Sequence, residues 1–259
     1  MTATAVLLCG HGSRDREAIA EFELVAAALR PCLPQFDVGI GYLEFARPTL
    51  RDGLAALAER GARQIFAIPG MLLAASHVKR DLPREINTFM ADNPAVDVRL
   101  GGDLSVGPKL PRAAADRIAA AAQDLAIPRA ETLLVVVGRG ASNPDANSNI
   151  SMLTQRMRNE MGFGWAEVGF TGVAQPRVEA VLTHSARLGF RRIIVFPYFL
   201  LTGVLVKQIY AQADSAARLF PGVGFVKALY LRDHPGVLGA FHDRVRELCD
   251  SNPAGLRQR

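Results

Sequence analysis

The feature that most constrains this fold is an internal repeat with a constant offset of 128 residues, which runs without a gap from residue 6 to residue 79. Glycines and prolines recur at matching positions, as the pairs Gly10 and Gly138, Gly12 and Gly140, Pro48 and Pro176, Gly61 and Gly189, and Pro69 and Pro197. Because these residues mark backbone positions with special dihedral needs, their coincidence indicates two copies of one fold. We place the division near residues 126–129, which gives an N-terminal lobe, residues 1–126, and a C-terminal lobe, residues 127–259.

Within the first copy, short β-branched runs alternate with longer segments of helical period. Strands are predicted at residues 4–9, 36–42, 64–68 and 96–100. Helices are predicted at residues 16–30, 49–60, 78–90 and 112–125, although Pro83 leaves the start of the third helix open. This order predicts an α/β chain with parallel sheets and helices on both faces. Ligands of such folds bind at the carboxyl ends of the strands, so we expect the active site in a cleft between the lobes.

Composition excludes several classes of protein. Apolar residues make up 49% of the 259 residues, yet no apolar run approaches the roughly 20 residues that a membrane span needs. Residues 1–4 lack the charged start of a signal peptide, so we expect a cytoplasmic location and no membrane partner. Three widely spaced cysteines without a C-x-x-C pair indicate neither a disulfide framework nor a zinc site.

The net charge of +5 favours anionic partners. With one Trp, four Tyr and no recognition-helix motif, the sequence does not favour nucleic acid. A small acidic molecule and a merely solvated basic surface both remain open at this point.

Three polar residues follow predicted strands of the first copy, namely His11, Glu44 and His77. Their equivalents in the second copy are Arg139, Gly172 and Leu205, so the framework recurs while each candidate ligand is replaced. Two imidazoles and a carboxylate suit iron(II), cobalt(II), nickel or zinc, and they also accept protons near neutral pH. One histidine at a strand end is more often structural, but three titratable groups at one predicted edge indicate a site.

The turn from Gly10 to Arg14 has a competing interpretation, because glycine-rich turns between strand and helix also bind phosphate. It matches neither G-x-G-x-x-G nor a P-loop. Both copies keep the two glycines, so backbone amides in either lobe are available to the carboxylates of an acidic ligand.

Five motifs together resemble the class II chelatases, and in particular the long, two-lobed sirohydrochlorin chelatases. They are LLCGHGSR, YLEFARPTL around Glu44, IPGMLLAASHVKRDLP around His77, VVVGRGASNPDAN and FPYFLLTG, and the resemblance spans nearly the whole chain. It implies flavodoxin-like lobes and insertion of cobalt(II) or iron(II) into sirohydrochlorin without ATP. It also implies that His11, Glu44 and His77 handle metal and protons, and that the metal is a substrate while no cofactor stays bound.

Sirohydrochlorin is a polycarboxylate, which gives the basic excess a use. The predicted substrate-binding residues are Gly12, Ser13, Arg14, Arg47, Ala75, Ser76, Lys79, Arg139 and Gly140. The duplicated chain is expected to act as a monomer. A non-catalytic carrier of metal or tetrapyrrole would use the same residues, and a phosphate-binding flavodoxin-like enzyme would use the turn alone.

Overall fold

A computed structural model describes residues 4–72, 78–104, 107–123, 126–142 and 144–251. The first repeat contains β1 (Thr4–Gly10), α1 (Arg16–Leu29), β2 (Asp37–Tyr42), α2 (Leu50–Glu59), β3 (Gln64–Pro69), α3 (Val78–Asp92), β4 (Asp97–Leu100) and α4 (Lys109–Ala121). The second contains β5 (Thr132–Gly138), α5 (Pro144–Met161), β6 (Trp165–Phe170), α6 (Val178–Ser185), β7 (Arg192–Pro197), α7 (Val204–Leu219), β8 (Gly224–Lys227) and α8 (Pro235–Asp250). The strands and helices predicted for the first copy are confirmed, with α3 beginning at Val78 and including Pro83, but α4 begins at Lys109 instead of residue 112 and ends at Ala121 instead of residue 125.

Each repeat forms its own four-stranded parallel sheet, in the orders β2-β1-β3-β4 and β6-β5-β7-β8. This order matches the first four positions of the flavodoxin arrangement, in which the order of strand addition reverses between the first and third strands. The registers repeat as well, because Gly10 pairs with Tyr42 while Gly138 pairs with Phe170. The prediction of two α/β lobes with parallel sheets is therefore confirmed.

Alternating side chains of each central strand supply the two cores. In the first sheet, Ala5, Leu7 and Cys9 pack with buried residues of α2 and α3. In the second sheet, Leu133, Val135 and Val137 pack with α6 and α7. Burial of the Cys9 thiol raises its pKa well above the ordinary range, so this thiol belongs to the core rather than to any reactive site.

The two compact units of the structure do not coincide with the two copies of the sequence repeat. The first unit is residues 1–110 with 233–259, and the second unit is residues 111–232. In the first unit, α8 packs against α1 and β3. In the second unit, Arg117 of α4 donates from Nη2 to the Leu231 carbonyl at 3.0 Å. The units thus exchange the last helices of the two repeats, while the division at 126/127 describes the sequence copies and stays a prediction for the domains.

None of the helices within the described ranges is long and apolar enough to cross a bilayer.

A buried arginine anchors the start of the second sheet. Arg192 is only 2% exposed. It donates from Nε to Thr132 Oγ1 at 3.0 Å and from Nη2 to the Ile127 carbonyl at 2.9 Å. The equivalent pair in the first sheet makes a longer, uncharged hydrogen bond, in which Thr4 Oγ1 donates to Gln64 Oε1 at 3.4 Å. The guanidinium thus joins the segment before β5 to both β5 and β7.

We expect Arg192→Ala to lower the free energy of unfolding by about 2–4 kcal/mol, because it leaves buried acceptors unpaired and opens a cavity. Urea unfolding followed by Trp165 fluorescence measures this, since the single tryptophan lies in β6 of the second unit. Gln64→Ala is the matched control and should cost less than about 1 kcal/mol. Equal losses for the two variants would contradict the anchoring role.

Candidate active site

Two of the three predicted ligand residues lie together at the carboxyl ends of β1 and β2. His11 directly follows β1, and Glu44 lies two residues beyond the end of β2. His11 Nε2 is 3.3 Å from Glu44 Oε1, and the two side chains are 30% and 46% exposed. Because β1 and β2 are parallel neighbours, their carboxyl ends meet at one edge, which is why the residues converge.

Backbone contacts hold the two segments close. Leu43 N donates to the Gly10 carbonyl at 3.0 Å, and Glu44 N donates to the His11 carbonyl at 3.1 Å. Gly12 has φ +91°, and a Cβ there would stand 1.7 Å from the Glu44 carbonyl oxygen. Only glycine fits this approach, so the predicted role of Gly12 gains a structural reason.

The contacts of His11 bear on what the pair could hold. Its Nδ1 lies 3.3 Å from the Gly12 carbonyl oxygen, which would accept a hydrogen bond from a ring proton on Nδ1. With the ring proton on Nδ1, Nε2 would be an acceptor facing a carboxylate oxygen, which is also an acceptor. A proton or a metal ion between two such atoms would make the contact favourable. Ligands about 2.1 Å from one tetrahedral cation lie roughly 3.4 Å apart, close to this separation.

The third predicted ligand, His77, lies outside the described residues, as do the predicted substrate contacts Ala75 and Ser76. Lys79 lies in the first turn of α3, and its side chain is not described. Within the described ranges, no group of three or more His, Cys, Asp or Glu side chains is placed to hold a metal. His11 and Glu44 are thus the part of the predicted ligand set that the structure brings together.

Two predicted contacts near the pair have protein partners. Ser13 Oγ accepts from Asp15 N at 3.0 Å, and this bond shapes the entry to α1. Arg47 Nη1 lies 3.1 Å from Asp52 Oδ2, at the first turn of α2. Hydrogen bonds from Thr49 and the charge of Arg47 hold the pKa of the Asp52 carboxyl below its ordinary value. Both arrangements position the segments that carry His11 and Glu44.

Sequence reasoning missed Phe45, which follows Glu44 directly. Its ring centroid lies 6.4 Å from that of His11, with 24° between the planes. The Arg14 guanidinium carbon lies 5.0 Å from the same centroid, which is a cation–π distance. The sequence signal was a large aromatic residue beside a candidate ligand, but its contacts depend on a backbone conformation that no periodicity predicts.

The second copy keeps the backbone arrangement without the acceptors. Thr171 N donates to the Gly138 carbonyl at 3.1 Å, and Gly172 N donates to the Arg139 carbonyl. Gly140 has φ +77°, as its equivalent position requires. Arg139 stands where the first copy has His11, so this turn presents a cation instead of a pair of acceptors.

A known family model matches each copy of the repeat separately. The CbiX family model matches residues 5–121 and again residues 133–248. The chain belongs to the CbiX family. The two matched segments cover both repeats, so the duplication recognised in the sequence is a duplication of the CbiX unit.

Relatives of this CbiX chain cover nearly all of it. A sirohydrochlorin cobaltochelatase of Priestia megaterium is 29% identical over 243 residues, which span 94% of this chain and 79% of the relative. A sirohydrochlorin ferrochelatase of Bacillus subtilis (strain 168) is 28% identical over 246 residues, with 94% and 91% covered. The solved structure described as SirB from Bacillus subtilis with Fe3+ is 28% identical, has a TM-score of 0.80, and covers 99% of this chain and 98% of its own.

We expect Gly12→Ala to destabilise the protein more than Gly61→Ala. Both glycines have a positive φ, +91° and +98°, but nothing lies within 4 Å of a Cβ added at Gly61. The left-handed backbone alone costs about 1–2 kcal/mol for alanine, whereas displacement of the Glu44 carbonyl adds a further ~1–3 kcal/mol. Urea unfolding of the two variants measures the difference. Equal costs would mean that the approach of Glu44 to Gly12 is not tight in solution.

Proposed function

We propose that this CbiX chain is a sirohydrochlorin chelatase, a lyase-type enzyme that inserts cobalt(II) or iron(II) into sirohydrochlorin without ATP. The observation that carries the proposal is the close approach of one imidazole nitrogen and one carboxylate oxygen, His11 Nε2 and Glu44 Oε1, at 3.3 Å. Membership of the family and the names of the cobalt and iron relatives support the substrate. A product of this kind serves siroheme or cobalamin biosynthesis.

The pair supplies two functions that metal insertion requires. A divalent ion enters the macrocycle as two pyrrole N–H protons leave, so a metal must be delivered and protons must be accepted at nearly the same place. The pair binds a borderline metal with one imidazole nitrogen and one carboxylate oxygen. Once the metal leaves for the macrocycle, the same two atoms are free to accept the protons. We propose His77 as a further ligand and base on the same grounds of chemistry.

The proposed contacts to the substrate carboxylates come from cations and backbone amides. Arg14 and Arg139 are exposed and occupy the turns after β1 and β5. Their guanidinium groups suit carboxylates because they donate two parallel hydrogen bonds. Gly12 and Gly140 keep the backbone of these turns open to an acidic ligand. Lys79, Ala75 and Ser76 remain proposed contacts from the sequence motif alone.

The alternatives are less well supported. A phosphate at the His11 turn would meet the Glu44 carboxylate, which lies 3.3 Å from His11 Nε2 and is 46% exposed. The turn also lacks a phosphate-binding motif, and no relative named above is a phosphate-binding enzyme. A carrier of metal or tetrapyrrole would use the same pair, and turnover distinguishes it from an enzyme.

We expect substoichiometric protein to accelerate insertion of cobalt(II) and of iron(II) into sirohydrochlorin, in anaerobic buffer without nucleotide. Both metals should react, because an imidazole and a carboxylate discriminate poorly between neighbouring metals. The absorption spectrum of the macrocycle reports the product. A rate equal to the uncatalysed rate with every divalent metal, together with stoichiometric binding, would indicate a carrier instead.

Substitutions at the acceptor pair should affect turnover, whereas those at its equivalent in the second copy should affect binding. We expect His11→Ala and Glu44→Ala to lower kcat by on the order of 10² to 10⁴, the usual loss for a positioned acid–base group. Arg139→Ala should mainly raise KM. Both acceptor side chains are partly exposed, so melting temperatures should stay near the wild-type value. If folded Arg139→Ala lost kcat as completely as His11→Ala, the second copy would take a direct part in the chemistry.

A further inference from the structure

Phe45 has a backbone conformation that its residue type disfavours. Its φ is +62°, and among the described residues only Arg232, at +53°, is another non-glycine residue with positive φ. For a bulky side chain this left-handed conformation is a real outlier, and it costs on the order of 1–3 kcal/mol. The surrounding contacts must hold it there.

Burial does not explain the conformation. The Phe45 side chain is 53% exposed, so folding gains little from placing a large apolar ring at this point. An exposed apolar residue by itself needs no explanation. An exposed aromatic ring held in a strained backbone beside two candidate ligands does need one, because glycine or asparagine would satisfy the turn at lower cost.

The Phe45 ring contacts both a predicted metal ligand, His11, and a predicted carboxylate-binding cation, Arg14. On the acceptor side, the ring lies 6.4 Å from the His11 ring in a stacked orientation. On the cationic side, the Arg14 guanidinium carbon lies 5.0 Å from the centroid. An apolar flat surface therefore stands between the His11–Glu44 pair and a cation that is suited to a carboxylate.

The second copy provides an internal comparison. The residue equivalent to Phe45 is Val173, at 45 + 128 = 173, and it is 75% exposed. Within the described residues Val173 is not among those with positive φ. The backbone hydrogen bonds of the two loops are otherwise equivalent. The aromatic ring and its positive φ therefore occur only in the loop that carries Glu44, and the loop's hydrogen bonds do not require them.

We infer that Phe45 contacts the substrate directly and receives the flat face of the macrocycle beside the His11–Glu44 pair. The conjugated ring of the substrate stacks on the phenyl ring, while Arg14 binds a carboxylate at the macrocycle's edge. This inference rests on the proposed function for the identity of the substrate. It adds the residue that sets where the macrocycle lies relative to the acceptors.

The test measures binding of metal-free macrocycles, separately from turnover, in Phe45→Ala, Phe45→Leu and Val173→Ala. Two probes are used, sirohydrochlorin and uroporphyrin, and their fluorescence titration gives Kd. Phe45→Ala should raise Kd roughly tenfold, equivalent to ~1.4 kcal/mol. Phe45→Leu should give an intermediate loss, because it keeps apolar area but removes the π face. Val173→Ala is the matched control and should leave Kd and kcat unchanged.

Melting temperatures distinguish a substrate contact by Phe45 from a role of Phe45 in folding. The ring is exposed and its surface contact with Arg14 contributes little to folding, so we expect Phe45→Ala to melt close to the wild type, and Phe45→Gly, which relieves the backbone strain, to melt higher. Weaker binding with unchanged melting supports a substrate contact. Weaker binding accompanied by a lower melting temperature in Phe45→Ala would assign the ring a structural role and overturn the inference.

The remaining outcomes separate this inference from the proposed function. If the wild type inserts metal into sirohydrochlorin and Phe45→Ala binds it within about twofold of the wild type, the function stands and the inference is wrong. If the wild type binds uroporphyrin in a Phe45-dependent way but neither binds nor metallates sirohydrochlorin, the inference stands and the function is wrong. If the wild type binds neither macrocycle, both are wrong.

Discussion

Two backbone hydrogen bonds join the segment after β2 to the turn after β1, from Leu43 N to Gly10 and from Glu44 N to His11. They extend the pairing of the two strands by two residues past the end of the sheet. The side chains of His11 and Glu44 therefore meet because their backbones are already paired. Gly12 is the condition for this arrangement, since any Cβ there would collide with the Glu44 carbonyl. The chemistry proposed for the pair depends on this short extension of the sheet.

The two copies share a backbone arrangement but differ in the side chains that it carries. Both copies make the same backbone bonds past the sheet edge, but a Cβ at Gly172 would stand 2.4 Å from the Arg139 carbonyl oxygen. A glutamate cannot occupy that position without moving the loop. The absence of a second acceptor pair is therefore a property of the backbone in that copy, as well as of its side chains.

Much of this architecture was predictable from the sequence, because it follows from local patterns. Strand positions follow from apolar periodicity, and the register of the repeat follows from matched glycines and prolines such as Pro48 and Pro176. The convergence of His11 with Glu44 follows from the rule that parallel strands end at one edge. The roles of these two residues and of His77 in catalysis stay predictions.

Other features depend on tertiary contacts that no local pattern encodes. Arg47 pairs with Asp52 beside the N-cap of α2, a contact that no local pattern encodes, and its predicted role in substrate binding stays a prediction. The conformation of Phe45 results from its neighbours in space, and its residue type argues against it. The exchange of α4 and α8 could not be predicted from the repeat either, because both helices lie beyond residues 6–79 and their equivalents, where the repeat is found.

That exchange has a consequence for the origin of the fold. The first unit uses α8, from the end of the chain, to pack against α1 and β3. A protein with a single copy would have to fold its own last helix back onto its sheet or take that helix from a second molecule. Gene fusion of two such molecules would turn a shared helix into a permanent internal one. Cutting the present chain at residue 126 would then give two fragments that each lack a native neighbour, and they would regain it only by associating.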